Sequence, residues 1–261
     1  MTDELAAIRR PFAPPDLEPL LAAAGIDRTV LVQTRASVDE TRELLRTAEA
    51  TSFVAGVVGW VDLSDPGVAE EIDALRSGPG GDRLVGIRHQ VHDEPDADWL
   101  LRPDVRRGIA AVGRAGLAYD LLVRSRELPA ALQVVRGLPD VRFVIDHVAK
   151  PPIRDRVFQP WAERIASFGE MRNTWCKASG MITEADWSSW RPDDLRPYVQ
   201  HVLDVFGADR LVFGSDWPVC LLAGSYQQVF DATRAALGDL TEGEQSAIFG
   251  GNAAEVYRLR V

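Results

Sequence analysis

The stretch DRLVFGSDW, residues 209–217, begins with two charged residues, continues as a short apolar run and ends in Asp-Trp. A continuous apolar run of this kind is typical of a strand that is buried on both faces, as strands of parallel sheets are. Six further runs of the same kind precede it along the chain. They are residues 28–34, 53–63, 83–91, 116–123, 141–149 and 173–180. The sequence therefore predicts seven strands of one parallel sheet.

Amphipathic stretches separate these runs. Residues 37–50 begin with Ser37, a residue type preferred at helix N-caps, and carry apolar residues on one side. Residues 125–137 and 194–206 show the same helical pattern. The strand-to-strand spacing of about 25–37 residues suits βα units.

Two architectures are compatible with this alternation. A doubly wound sheet normally binds a nucleotide at a Gly-rich turn after its first strand, but the chain has no GxGxxG or GxxxxGK[ST] motif. A (β/α)8 TIM barrel typically needs about 250 residues, and the chain has 261. One helical segment, residues 15–24, precedes the first run. We therefore expect an α/β protein with a single TIM-barrel domain over residues 1–261, whose first strand is absent from the chain as given.

Composition and charge exclude several function classes. The net charge of −10 argues against nucleic acid, since phosphate binding needs an excess of Lys and Arg. There is no apolar run of about 18 residues that could span a membrane, and the N-terminus does not resemble a secretory signal. Two distant cysteines without CxxC spacing fit a reducing compartment. We expect a cytoplasmic protein that acts on a small-molecule substrate, without nucleic acid or membrane.

In a barrel, the polar residues at the carboxyl ends of the strands form the active site. Three of the four histidines fall at this rim, whereas His201 lies in a helical segment and is expected to pack or to face solvent. The rim residues are Gln33, Thr34, Trp60, Asp62, Arg88, His89, His92, Tyr119, Asp120, Asp146, His147, Lys150, Lys177, Ser179, Ser215, Asp216 and Trp217.

Asp216 is the strongest candidate, because it stands where an apolar strand breaks before Trp-Pro. A carboxylate there is costly unless it is hydrogen-bonded, bound to metal or functional. The structural alternative is an Asp that caps a turn or pairs with an Arg. Strand alternation puts Asp216 on the face of Gly214, which leaves space for a ligand, and puts His147 on the face of Phe143 and Ile145.

The other candidates have structural alternatives of similar weight. His147 is either a satisfied core residue or a functional one, and the stiff cationic exit made by Lys150 and two prolines favours function. Arg88 either pairs with a structural carboxylate or holds a substrate oxygen through its planar guanidinium. Tyr119 is a weaker candidate, because a strand Tyr is often a packed aromatic with a solvated tip.

Six segments occur in an order that resembles the amidohydrolase-2 group of the amidohydrolase superfamily, in the branch of L-fuconolactonase, L-rhamnonolactonase and 2-pyrone-4,6-dicarboxylate lactonase. They are GIRHQVHDEPD (86–96), GLAYDLLV (116–123), FVIDHVAKPPI (143–153), WCKASGM (175–181), RLVFGSDWPV (210–219) and FGGNAAEVYRL (249–259). The resemblance runs from about Pro11 to the C-terminus. The combined motifs are specific for the family and only suggestive of the substrate.

The resemblance implies a (β/α)8 barrel and a hydrolase that opens a small lactone, such as fuconolactone or rhamnonolactone. Asp216 would activate water as the general base and later return the proton to the leaving alkoxide. His147 would polarise the lactone carbonyl. The resemblance further implies substrate contacts from Arg88 and Tyr119, with weaker matches at His89 and Lys150.

The family's first strand normally carries an HxH motif, and the chain has none. Members of the superfamily often bind divalent ions, whereas lactonases of this branch can work without one. His147 and Asp216 would supply two ligands, fewer than the three that catalytic zinc usually takes from protein. We therefore predict no tight metal site and no required cofactor in this chain, with zinc an expectation for a form that includes the first strand.

Two other functions remain open at this point. One is a metal-dependent amidohydrolase or decarboxylase of the same superfamily, although residues 86–96 and 175–181 favour the lactonase branch. The other is a catalytically impaired barrel that binds a small ligand or a partner. A missing strand would leave open sheet edges able to pair with another chain, so a homo-oligomer is one expectation.

Overall fold

The computed structural model describes residues 3–260 and contains a single curled sheet of parallel strands. Each strand pairs with its neighbours along the chain, in the order β1 to β7. The strands are β1 (Thr29–Val32), β2 (Val54–Gly59), β3 (Leu84–His89), β4 (Ala118–Leu121), β5 (Arg142–Ile145), β6 (Thr174–Ala178) and β7 (Leu211–Phe213). Each lies inside one of the seven predicted runs, so the prediction of seven parallel strands is confirmed.

Helices connect the strands and cover the outer face of the sheet. They are α1 (Pro14–Ala24), α2 (Val38–Ala50), α3 (Val68–Ser77), α4 (Pro103–Arg114), α5 (Leu128–Gly137), α6 (Trp161–Ala166), α7 (Met181–Glu184), α8 (Pro192–Phe206), α9 (Tyr226–Leu237), α10 (Glu242–Ser246) and α11 (Asn252–Val256). The 3₁₀ segments are Asp3–Ile8, Gly81–Arg83, Val91–Asp93, Trp99–Leu101, Asp146–Ala149 and Val219–Leu222, and Ala247–Gly251 is a π turn. As predicted, α1 precedes the first strand, and Ser37 caps α2 by accepting a hydrogen bond from the Glu40 N–H.

The two faces of the sheet pack in different ways. Outward-facing strand residues such as Ile87 and Phe143 join the helices in one large apolar core. Inside the curl, Val144 and Trp175 pack with Tyr257 from the chain after α11. This inner cluster fills the sheet below its carboxyl end. The polar residues that come after this cluster on the same strands therefore lie at the mouth of the barrel.

Within residues 3–260, no helix is long and apolar enough to cross a membrane. Cys176 and Cys220 are both buried and form no disulfide. His201, on α8, packs against the rings of Phe158 and Trp161, and its Nε2 lies 2.9 Å from the carbonyl oxygen of Ala162. It therefore has the packing role expected for it.

Candidate active site

The chain leaves β5 through a left-handed stretch that brings His147 to the mouth of the sheet. His147, Val148, Ala149 and Lys150 have φ angles of 52°, 45°, 58° and 49°. A positive φ is uncommon outside glycine and is a genuine outlier for a β-branched residue such as Val148. Such conformations cost about 1–3 kcal/mol each and persist where the surroundings enforce them, often at functional sites.

This stretch corrects the side that strand alternation predicts for His147. Phe143 and Ile145 face the helices, as alternation requires. The strand ends at Ile145, and the left-handed turn then rotates the His147 ring away from that face. Its Nδ1 lies 2.8 Å from the Ser179 hydroxyl oxygen, and its Nε2 lies 3.9 Å from Oδ1 of Asp216.

Asp216, three residues after the end of β7, also has a left-handed backbone, with φ of 54°. Its side chain is 16% exposed and that of His147 is 11% exposed. Burial raises the pKa of Asp216 to about 6, although Lys150 and Arg88 act to lower it. Burial lowers the pKa of His147 to about 3, against the opposing effect of Asp146. Near neutral pH the pair is therefore a carboxylate beside an uncharged imidazole.

Beneath this pair lies a network of buried charges. Arg88 Nη1 donates to Asp146 Oδ2 at 2.7 Å, and Lys177 Nζ donates to Asp120 Oδ2 at 2.9 Å. Lys177 also bonds Asp146, and the hydroxyl of Tyr257 donates to Asp120 Oδ2 at 2.7 Å. The two positive and two negative charges of this network give it no net charge. Burial would lower the pKa of Lys177, but Asp120 and Asp146 hold it well above its usual value.

The sequence left two roles open for Arg88, pairing with a structural carboxylate or holding a substrate oxygen. In the structure Arg88 pairs with a carboxylate. One of its terminal nitrogens pairs with Asp146. The other donates to the backbone oxygen of Gln33 and, at 3.2 Å, to the Gln33 side-chain oxygen. Arg88 thereby ties the end of β1 to the end of β5 and forms part of the floor of the site.

Tyr119 is not brought to the site. It pairs in register with Ile87 and Phe143, residues that face the helices. Its ring is fully buried and meets Phe143 edge-on, with the ring centroids 6.2 Å apart. This geometry does not support the substrate contact expected from Tyr119, because it is the neighbouring Asp120 that faces the interior.

His89 lies at the rim with both ring nitrogens engaged. Trp60 Nε1 donates to His89 Nδ1 at 3.0 Å, and His89 Nε2 lies 2.8 Å from Glu94 Oε1. The ring also stacks on Trp99, with centroids 4.3 Å apart. Because Nδ1 accepts a hydrogen bond, Nε2 is the nitrogen that donates to Glu94. His89 thus holds the loop after β3 in place and presents no free nitrogen to a ligand.

Lys150 lies at the rim beside Asp216 and pairs with Glu184 at the end of α7. Sequence reasoning gave no role to Glu184 or to Tyr257. The position of Lys177 does indicate a buried charge pair, since a lysine inside a buried strand needs carboxylate partners. Glu184 and Tyr257 have no such indication, because their partners are distant in sequence.

The side chains present do not fit a tight metal site by themselves. In the part of the chain that the structure describes, no group of three or more His, Cys, Asp or Glu residues could hold a metal ion. Asp216 and His147 offer two donors, whereas catalytic zinc usually takes three from protein. Arg88, Lys150 and Lys177 act on Asp216, and their charges would oppose a divalent cation.

A parallel barrel sheet with a candidate base and a neutral imidazole at its carboxyl end has the layout of a barrel enzyme. The chain belongs to the amidohydrolase family, whose model matches residues 1–259. The family resemblance drawn from the sequence motifs is thereby confirmed.

Relatives and solved structures agree with this assignment. An L-fucono-1,5-lactonase of Burkholderia ambifaria is 43% identical over 98% of this chain and 88% of its own length. A crystal structure of a Burkholderia multivorans amidohydrolase with bound zinc shares 36% identity, with a TM-score of 0.92 over 99% of this chain and 92% of that one. A putative 2-pyrone-4,6-dicarboxylic acid hydrolase of Pseudomonas putida, 20% identical over 98% of this chain and 93% of that one, shares the fold with a TM-score of 0.76. The predicted barrel fold is thus confirmed.

The charge network predicts a large stability loss when its lysine is removed. Lys177→Met leaves the buried Asp120 without a cation and Asp146 with Arg88 alone, and should lower the free energy of unfolding by about 3–5 kcal/mol in urea titrations. Lys150→Met is the matched control, because it breaks the rim pair with Glu184 and should cost about 1 kcal/mol or less. Equal, small losses in both variants would contradict the network.

Removing the charge of Asp216 should have the opposite effect and stabilise the fold. Its pKa is raised from 3.8 to about 6 in the folded chain, so the ionised form costs stability above pH 6 and the protonated form does not. Asp216→Asn mimics the protonated form and should raise the free energy of unfolding at pH 8 by about 1–3 kcal/mol. The gain should vanish when urea titrations are repeated near pH 4. A loss of stability at pH 8 would mean that the carboxylate is held by favourable contacts.

Proposed function

We propose that this chain hydrolyses a small sugar-acid lactone, with L-fucono-1,5-lactone as the first candidate, by water attack activated by Asp216. The observation that carries the proposal is the buried carboxyl of Asp216, with a pKa of about 6, next to the uncharged ring of His147 at the mouth of the barrel. Two Burkholderia relatives named L-fucono-1,5-lactonase, 43% and 38% identical, support the substrate class.

The residues at the mouth supply each proton movement of the reaction. The Asp216 carboxylate takes a proton from water as the water oxygen bonds to the lactone carbonyl carbon. The Nε2–H of His147 donates a hydrogen bond to the carbonyl oxygen as that oxygen becomes negative. The ring C–O bond then breaks, and the proton held by Asp216 passes to the leaving alkoxide. The product is an open-chain hydroxy acid, and Asp216 is again ionised.

The charges around Asp216 favour a neutral substrate. Each cation that lowers its pKa already has a carboxylate partner, since Lys177 and Arg88 are paired in the buried network and Lys150 pairs with Glu184. A carboxylate on the substrate would compete with these pairs. An uncharged lactone needs only hydrogen-bond donors for its oxygens, and Lys150 has N–H groups besides the one that bonds Glu184. This favours a lactone over the carboxylated substrates of a decarboxylase.

A metal-dependent amidohydrolase is the second candidate, because the Burkholderia multivorans structure at 36% identity carries bound zinc. The two candidates are separated by metal analysis of the purified chain and by assays after chelator treatment. Zinc near one equivalent together with loss of turnover in chelator would favour the metal-dependent enzyme. Turnover that survives chelation would favour the Asp216 reaction as written.

Removal of the proposed base should abolish most lactone turnover. Asp216→Asn should lower kcat/KM for aldonolactones by at least about 100-fold, measured with a pH indicator that reports the acid released. Asp62→Asn is the matched control, because this exposed rim carboxylate caps its own turn by accepting from Ser64 and should leave turnover unchanged. Near-normal turnover by Asp216→Asn would remove the proposed mechanism.

The pH profile should report the same carboxyl group. Since Asp216 must be ionised to accept a proton, kcat/KM should fall as the pH drops, with a midpoint of about 6. His147 adds no transition between pH 5 and 8, because burial holds its pKa at about 3. A profile that is flat from pH 8 down to pH 5 would contradict this assignment.

A further inference from the structure

Ser179 follows β6 at the mouth of the barrel and is 1% exposed. Its hydroxyl oxygen lies 2.8 Å from His147 Nδ1. We propose that Ser179 is a positioning residue, which donates its hydroxyl proton to Nδ1 and so keeps the His147 proton on Nε2, where the lactone carbonyl would bind. This inference rests on the proposed function for the role of Nε2 and on the structure alone for the tautomer.

The contacts on the two sides of the ring decide between its tautomers. A hydroxyl can donate or accept, whereas each nitrogen of a neutral imidazole does only one of the two. If Nδ1 carried the proton, Nε2 would present a lone pair towards the Asp216 carboxylate 3.9 Å away. If Ser179 donates to Nδ1, the Nε2–H dipole points its positive end at that carboxylate. The second arrangement is electrostatically favourable, and it is the one able to donate to a carbonyl oxygen.

Two glycines leave the space that this contact needs. A Cβ on Gly180, whose φ is +63°, would lie 2.5 Å from His147 Nδ1. A Cβ on Gly214 would lie 2.9 Å from the Cβ of Ser179. The ends of β5, β6 and β7 thus fit around one hydrogen bond, and the chain carries its smallest residue at both positions of close approach.

The expected effect of Ser179 is on orientation, with no proton transferred to or from it during the reaction. Ser179→Ala frees the ring to rotate and to exchange tautomers, which weakens oxyanion stabilisation more than substrate binding. We expect kcat to fall about 10- to 100-fold, by analogy with the loss of the hydrogen-bond partners that orient metal-bound histidines. KM should change less than about threefold, and Ser179→Thr, which keeps a hydroxyl, should recover most of the turnover.

Thr174→Val is the matched control for loss of a buried hydroxyl. Thr174 begins the same strand, is fully buried and has a hydroxyl without a hydrogen-bond partner. Its substitution should leave kcat and KM unchanged. A kcat loss in Thr174→Val as large as that in Ser179→Ala would assign the effect to strand packing and overturn the proposal.

Nitrogen-15 NMR of the histidine side chains gives a readout that a purely structural role would not move. The chain has four histidines, and the His147 signals are assigned by their loss in His147→Asn. In the unmodified chain near pH 7 we expect a protonated Nε2 and an unprotonated, hydrogen-bonded Nδ1. In Ser179→Ala the shifts should move towards the average of the two tautomers.

A proton on Nδ1 in the unmodified chain would overturn the proposal, and so would shifts unchanged by Ser179→Ala. The tautomer measurement does not depend on turnover. The expected shifts in a chain that fails to open any aldonolactone would uphold the positioning role and reject the proposed function. Lactone turnover with the proton on Nδ1 would uphold lactone hydrolysis and reject both the positioning role of Ser179 and the carbonyl contact of His147.

Discussion

The site depends on one constraint, which is that charged side chains inside the curled sheet are paired with side chains of opposite charge. Arg88 and Lys177 pair with Asp120 and Asp146 below the mouth. Removing a charge from water costs several kcal/mol unless a partner compensates it. Asp216 stands above this balanced floor without a cation of its own in the described residues, so its proton is held more tightly than an ordinary aspartate holds one. The same burial that destabilises the carboxylate makes it a base suited to neutral pH.

The fold could be predicted from the sequence because parallel strands buried on both faces leave a strong local signal. Each of the seven apolar runs contains one strand, and the helices lie between them. The carboxyl-end rule then placed Asp216 and His147 at the mouth without any knowledge of their contacts. Local pattern and one rule of barrel geometry therefore give the fold and the rim on which the pair lies, whereas the roles of Asp216 and His147 come from the family resemblance.

The errors come from features that a local pattern does not carry. The family resemblance alone implied a substrate contact for Tyr119, because a strand that is apolar on both faces does not show whether Tyr119 or Asp120 points to the interior. Alternation also fails once the backbone leaves the extended region, which is why the left-handed stretch after β5 moved His147 to the opposite side. The partner of Asp120 at the end of the chain, Tyr257, is 137 residues away and could not be inferred.

The most direct test of the central claim is a titration of the Asp216 carboxyl itself by carbon-13 NMR, with its signal assigned by loss in Asp216→Asn. We predict a midpoint of about 6, set by burial at the mouth of the barrel. A midpoint near 3.8, the ordinary value for an aspartate, would contradict it, because the carboxylate would then be well solvated or well paired.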